Sequence, residues 1–276
     1  MEQHAAALVR LTTTALALIV LCGPARAQNA AVAAESTPAE ASPSVSPFSA
    51  NVTLASQYIS RGFRQTWGKP ALQGGFDYTG PSGFSAGTWL SNVSNRYIED
   101  GSVEWDLYGA YTGSAGSAGD IGYTAALYTY IYPGAEYRAS ATTYDYTEVA
   151  LGLNYKFVSV KYNYTVSKEF FGIENARGTG YLDIGANFDL GDGFALLLHA
   201  GQGRVANNSI WNWRDYKVGV SKALAPGWSM AAAYTRAHGA TDAYDRYTLG
   251  IPNSAGVIES SNPAEGTFVL ALTRTF

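Results

Sequence analysis

The 276-residue chain is poor in cysteine, histidine and charge. Its one cysteine, Cys22, lies near the start, so the rest of the chain has no thiol. That excludes disulfides, thiolate metal sites and a cysteine nucleophile from residue 23 onward. The three histidines, His4, His199 and His238, are far apart and offer no metal-ligand spacing. Charged residues make up 14% of the chain, well below a typical soluble domain. The net charge is −4 without a basic patch, which argues against a nucleic-acid partner. After the first residues no stretch of 18 apolar residues occurs, so no spanning helix is expected. Gly113 to Gly119 is glycine-rich but lacks the lysine and the strand–helix setting of a phosphate loop.

The beginning reads as an export signal. Arg10 supplies a positive start, and Leu11 to Leu21 is an apolar run too short to span a bilayer. Ala25-Arg26-Ala27 has the small-x-small spacing of a cleavage site, which sets the signal at residues 1–27. The alternative is a membrane anchor, which the short run and the cleavage site disfavour. Leu21 before Cys22 argues against lipidation. Residues 28–47 are rich in Ala, Ser, Pro and Glu without apolar period, and read as a disordered periplasmic leader. The folded domain is then 48–276.

From Asn51 onward the pattern alternates with period two. Val158, Val160, Tyr162, Tyr164 and Val166 oppose Ser159, Lys161, Asn163 and Thr165; Leu182, Ile184, Ala186 and Phe188 oppose Tyr181, Asp183, Gly185 and Asn187. Twelve such segments are predicted, near 51–60, 70–79, 83–93, 103–112, 120–132, 144–155, 157–167, 179–190, 194–203, 213–223, 228–238 and 266–276. Short and long connections alternate between them. This predicts an all-β fold, a transmembrane up-and-down antiparallel barrel of about 12 strands, with both termini in the periplasm.

Aromatic residues sort by height. Tyr128, Tyr130, Tyr132, Tyr144, Tyr146, Tyr162, Tyr164, Tyr181, Trp213, Tyr216 and Tyr234 fall near the long loops. Tyr78, Phe84, Tyr111, Tyr123, Tyr155, Phe157, Phe188, Phe194 and Trp228 fall near the short turns. Two aromatic bands are expected at the two membrane–water interfaces. A soluble sandwich would also alternate, but its aromatics should not avoid strand centres. The last strand ends on Phe276, in phase with Phe268, Leu270 and Leu272, which is read as the assembly signal of an outer-membrane barrel.

Particular stretches carry a resemblance. These are S-Q-Y-I-S-R-G-F-R-Q-T from Ser56, P-A-L-Q-G-G-F-D-Y from Pro70, G-F-S-A-G-T-W-L-S-N-V from Gly83, E-W-D-L-Y-G-A-Y from Glu104, Y-L-D-I-G-A-N-F from Tyr181 and D-Y-K-V-G-V-S from Asp215. Over about residues 50 to 236 the chain resembles the TorF-type porin family of Gram-negative bacteria. The resemblance implies an outer-membrane barrel and a pore, and it supplies no catalytic or ligand residues.

By parity Asp77, Glu104, Asp106, Asp120, Glu148, Asp183, Asp189 and Asp215 point into the lumen, with Lys161 and Lys217 as the clearest inward cations. A ring of carboxylates concentrates cations, so the expected function is a narrow, cation-preferring channel for small solutes. The alternatives are internal charge pairing, or a plugged barrel with a structural or adhesive role. Arg61 and Arg64 either brace a loop folded into the pore or sit as rim charge. Trp67, Tyr97, Tyr137 and Trp211 in the loops are assigned to the upper aromatic band rather than to a ligand. Barrel lipid hydrolases need a His–Ser pair on the outer wall; His199 lies inward without an evident serine and His238 sits at a loop edge, so no enzyme is expected. No cofactor is expected. The expected partners are outer-membrane lipid and lipopolysaccharide, the barrel assembly machinery and small solutes. A homo-oligomer is neither demanded nor opposed.

Overall fold

Alternating side chains give every strand one apolar face, and strands of that kind can share all their backbone hydrogen bonds only by closing on themselves. The computed structural model describes residues 46–116 and 120–276. The predicted signal peptide and all but the last residues of the leader lie outside the described residues. Twelve antiparallel strands form a closed barrel. They are β1 (Phe48–Ala55), β2 (Ala71–Thr79), β3 (Phe84–Asn92), β4 (Val103–Ala115), β5 (Ile121–Ile131) and β6 (Tyr146–Tyr155). The second half comprises β7 (Val158–Thr165), β8 (Gly180–Gly191), β9 (Phe194–Arg204), β10 (Trp213–Ala225), β11 (Trp228–Gly239) and β12 (Thr267–Thr275). Each strand pairs with the next in sequence. β12 returns to β1 with Ala55 opposite Ala271 and Asn51 opposite Thr275.

The outward face is apolar through its middle, with Arg214, Arg236 and His238 exposed only toward the loop end. Leu151 and Phe268 are 70% and 76% exposed, and Leu54, Leu72 and Leu270 stand out in the same way. The inward positions between them are small or polar: Ala55, Ala71, Ala126, Ala150, Ala233 and Ala271 are buried, as are Asn51, Thr53, Asn163 and Thr273. Thr53 and Thr273 share a hydroxyl hydrogen bond of 2.7 Å across the closing seam.

Eleven of the twelve strands begin and end within three residues of their predicted limits. The first does not. Its ladder stops at Ala55, and residues Ile59–Ser60 and Phe63–Arg64 form a separate two-stranded hairpin. Arg61 and Gly62 at its tip have φ of 49° and 85°. Positive φ at both central residues is the pattern of a type I′ turn, which suits the right-handed twist of a tight hairpin.

The aromatic bands need a correction. The turn-end set faces outward as expected, with Tyr78, Phe84, Tyr111, Tyr123, Tyr155, Phe157, Phe194 and Trp228 exposed. The loop-end set is split. Tyr162, Tyr164, Tyr216 and Tyr234 face outward, whereas Tyr128, Tyr130, Tyr132, Tyr144, Tyr146, Tyr181 and Trp213 are buried inside the barrel and its loops. Height along a strand was read correctly; the face was not, because side-chain direction follows parity and not height. Asp120 and Asp189 are also displaced from the expected lumen set. Asp120 precedes β5 and is exposed, and Asp189 is exposed at the turn end of β8, where it accepts a hydrogen bond from the Gly191 amide.

The outward face sets an expectation. Leu151 lies midway along β6, so Leu151→Lys should destabilise the barrel folded into lipid vesicles by about 2–4 kcal/mol. Ala150→Ser, one residue away on the inner face, should change it little. Denaturant titration of vesicle-folded protein checks both; equal effects would mean that the outer face does not meet lipid.

Candidate functional site

Neighbouring strands bring their inward charges together in rows. The ladder sets Lys161 opposite Asp183, and His199 opposite Lys217, on adjoining strand pairs. Tyr128 sits opposite both Tyr108 and Glu148. The lumen wall therefore carries two polar groups. One is built from Glu104, Asp106 and Glu148 on β4 and β6. The other comprises Asp183, His199 and Asp215 on β8 to β10.

The hairpin lies between them. Arg61 reaches the first wall and grips Glu148 with both nitrogens, Nη1–Oε1 at 2.9 Å and Nη2–Oε2 at 2.5 Å. Glu148 is wholly buried. The guanidinium also stacks over the Tyr181 ring, 4.6 Å from its centroid, and Nη2 lies 3.5 Å from the Tyr130 hydroxyl. At the opposite wall the hairpin tip is packed hard. A Cβ on Gly62 would sit 2.5 Å from Asp215 Cβ and 2.8 Å from Ala237 Cβ. Tyr58, just before the hairpin, donates to Glu104 Oε1 at 2.9 Å and packs edge-on against Trp89. The segment thus spans the lumen from β3 and β4 through β6 to β10 and β11.

His199 is held from both sides. Nδ1 lies 3.0 Å from Asp183 Oδ1 and Nε2 lies 2.6 Å from Asp215 Oδ2. The Tyr181 hydroxyl donates to Asp215 at 3.0 Å, and Trp213 Nε1 does so at 3.2 Å. Gly201 makes this fit, since a Cβ there would lie 2.2 Å from the Tyr181 hydroxyl and 2.5 Å from Asp215 Oδ1. Among the described residues, the hydrogen-bond partners of His199 are carboxylates and one phenol. These contacts clamp β8, β9 and β10 together on the inner wall.

Such a barrel matches a family model described as a bacterial protein of unknown function (Gcw_chp) over residues 38–276. The chain belongs to the Gcw_chp family. No curated protein matches it in sequence. Among solved structures this Gcw_chp barrel is similar to one described as KdgM porin, at 7% identity and a TM-score of 0.51, covering 83% of this chain and 99% of that one. It is likewise similar to the NanC porin, at 9% identity and a TM-score of 0.51, covering 82% and 98%. At such identities the likeness is one of fold.

The remaining candidates can be placed within the Gcw_chp barrel. Asp77 accepts a 2.6 Å hydrogen bond from Tyr108. Lys161 lies 5.4 Å over the Tyr128 ring. Lys217 projects inward beside His199. Neither oxygen of Asp106 accepts a hydrogen bond, although the side chain is fully buried. Arg64 leaves the lumen set; it pairs with Glu265 of the last long loop. Phe276 is 69% exposed, and its amide donates to the Ala50 carbonyl at 2.9 Å beside the closing seam. His238 is exposed at the loop end of β11. Of the loop aromatics, Tyr97 is buried, Trp67 packs on Tyr247 and Trp211 on Tyr244, so they join the inner cluster and not the outer band.

Sequence reasoning left Arg61 between bracing a loop folded into the pore and standing as rim charge, and it did not foresee the hairpin that delivers the side chain. The signal was present: an Arg-Gly pair between two short β-prone runs. Gly62→Val should unseat the hairpin, because a branched side chain meets both the positive φ and the opposite wall. The expected reading is a lower melting temperature, with new protease cleavage between residues 56 and 70 while the twelve-strand barrel stays resistant. An unchanged digestion pattern would mean that the tip is not seated as described.

Proposed function

We propose that the protein is a porin-like channel of the bacterial outer membrane, through which small solutes diffuse past the Arg61 hairpin, with cations preferred over anions. The observation that carries this is the charge of the inner wall. Six carboxylates face inward (Asp77, Glu104, Asp106, Glu148, Asp183 and Asp215) against Arg61, Lys161, Lys217 and His199, whose two ring nitrogens each face a carboxylate, so the acidic groups outnumber the basic ones by two. An apolar exterior around such a lumen is the distribution a lipid-embedded channel needs, and fixed carboxylates in a confined path favour cations. The resemblance to the TorF-type porin family supports the same reading. So does a fold shared with structures described as porins.

On this reading the apolar belt meets outer-membrane lipid, and the long loops meet lipopolysaccharide. Phe276 is the residue the barrel assembly machinery recognises, since it is aromatic and exposed beside the seam between β12 and β1. A filled barrel with a structural or adhesive role is the second reading. What favours it is how completely Tyr58, Tyr128, Tyr130 and Tyr181 occupy the lumen.

A planar bilayer with a salt gradient separates the two. Steady conductance with a reversal potential on the cation side is expected, and Glu104→Gln with Asp106→Asn should reduce that preference. Anion preference would sink the selectivity claim; silence from folded protein would favour the filled barrel. Glu148→Gln should raise conductance, because the hairpin loses its charged anchor. Breaking one side of a buried pair costs about 3–5 kcal/mol, so its melting temperature should fall as well. Unchanged conductance in that variant would remove the hairpin from the permeation path.

A further inference from the structure

The long loops fold over the hairpin and line a half-open cavity of about 460 Å³ between them. Twelve of its 25 lining residues are aromatic, a far higher share than the chain's 13%. The walls are braced from within. Phe171 packs edge-on against Tyr132 and Tyr144, at centroid distances of 5.6 and 5.4 Å, and lies 5.6 Å from Tyr97. Phe63 holds Tyr244 at 4.7 Å and Trp213 at 5.5 Å. The Tyr247 hydroxyl is tied to the Tyr97 carbonyl. Burial pushes the Tyr144 phenol up to about 12 and raises those of Tyr97 and Tyr247, so these rings are neutral. Rings fixed in this way present their faces without further ordering, which lowers the entropic cost of binding.

The charges at the cavity cancel. Arg61 is neutralised by Glu148, and the remaining charged lining residues are Glu174 and Arg246, of opposite sign. Two positive charges meet two negative ones, so the cavity carries no net charge with which to favour an ion of either sign. A wholly apolar ligand fits no better. It would strip water from Ser60, Arg246 and Thr248 without replacing those hydrogen bonds. The ligand that suits both features is neutral, has flat C–H faces to lay on aromatic rings and carries hydroxyls around its edge. We propose that this cavity binds a neutral saccharide of one or two rings. Its volume lies at the lower end of the range for small-molecule pockets, which sets that size. The inference deepens the channel reading and rests on it for the route the sugar takes onward; binding itself needs no open lumen.

Calorimetric titration of the refolded full chain in detergent tests it. Maltose, cellobiose and sucrose serve as probes, with galacturonate, glucosamine and p-cresol as controls. At least one neutral disaccharide should bind more tightly than every control. Trp211→Ala should weaken that binding roughly tenfold, the size of one aromatic contact, and Trp211→Tyr should restore most of it. Trp211 lies in a loop outside the barrel ladder, and the gel shift between unheated and boiled protein verifies that each variant is folded. No neutral sugar binding, tighter binding of any control, or unchanged affinity in folded Trp211→Ala would each overturn the proposal. Sugar binding by a protein that conducts no ions would keep it and remove the channel reading. Conductance without sugar binding would do the reverse.

Discussion

The contact between Arg61 and Glu148 decides where everything inside the barrel goes. Glu148 is fully enclosed, and its partner comes from a hairpin anchored on the far wall at Gly62. A buried ion pair adds little net stability, because desolvating two charges offsets most of their attraction. What it supplies is position. A leucine in place of Arg61 would bury as much apolar surface at many depths in the lumen. A guanidinium gripping one carboxylate with two nitrogens sits at one depth only. Once it is there, Tyr181 stacks on it, Tyr130 borders it, and the hairpin tip closes against Asp215 and Ala237.

This arrangement answers a problem of size. Eight strands close on a lumen that side chains can fill, and sixteen or more leave a channel. Twelve leave a space too wide for wall residues alone. The inner wall here is largely alanine, glycine, serine and threonine in its middle, which widens the space further. Large rings and a folded-in loop occupy it at the loop end. Gly201 shows the local version: its missing Cβ is what lets Tyr181 and Asp215 meet. The outer face carries the opposite demand, since it must be apolar at each alternate position, and the strands satisfy both because their period is two.

That same period explains what could be read beforehand. Alternation exposed the strands, their number and which charges point inward, because burying one face forces a strict pattern. Lys161 beside Tyr162 and Asp215 beside Tyr216 each divide correctly between the two faces. Depth is not encoded in alternation, so Asp120 and Asp189 could not be told from the deeper carboxylates. Tyr128, Tyr130 and Tyr181 were grouped with outward rings because chemistry favours aromatics at interfaces; their parity, on the face of Ala126 and Asp183, indicated otherwise. The hairpin was hidden for a different reason. Ile59 and Ser60 continue the β-prone run of β1, and only the Arg-Gly pair after them marks a reversal. Which loop enters the lumen is a long-range question, settled by a carboxylate 87 residues further along the chain.

Charge balance changes along the axis, and this bears on how a neutral ligand and a cation-preferring path could coexist. At the loop-end cavity the charges cancel. Below it Glu104 and Asp106 stand side by side, with one phenol hydrogen bond to Glu104 and none to Asp106. Arg61, the cation closest to hand, is already committed to Glu148. In the proposed channel, an anion arriving from the loop end would meet this acidic pair after a layer without net charge, whereas an uncharged solute would meet no such barrier. On the channel reading, the aromatic cavity selects by shape and hydrogen bonding, and the carboxylates beneath it select by sign. The hairpin separates the two layers, so its seating governs both.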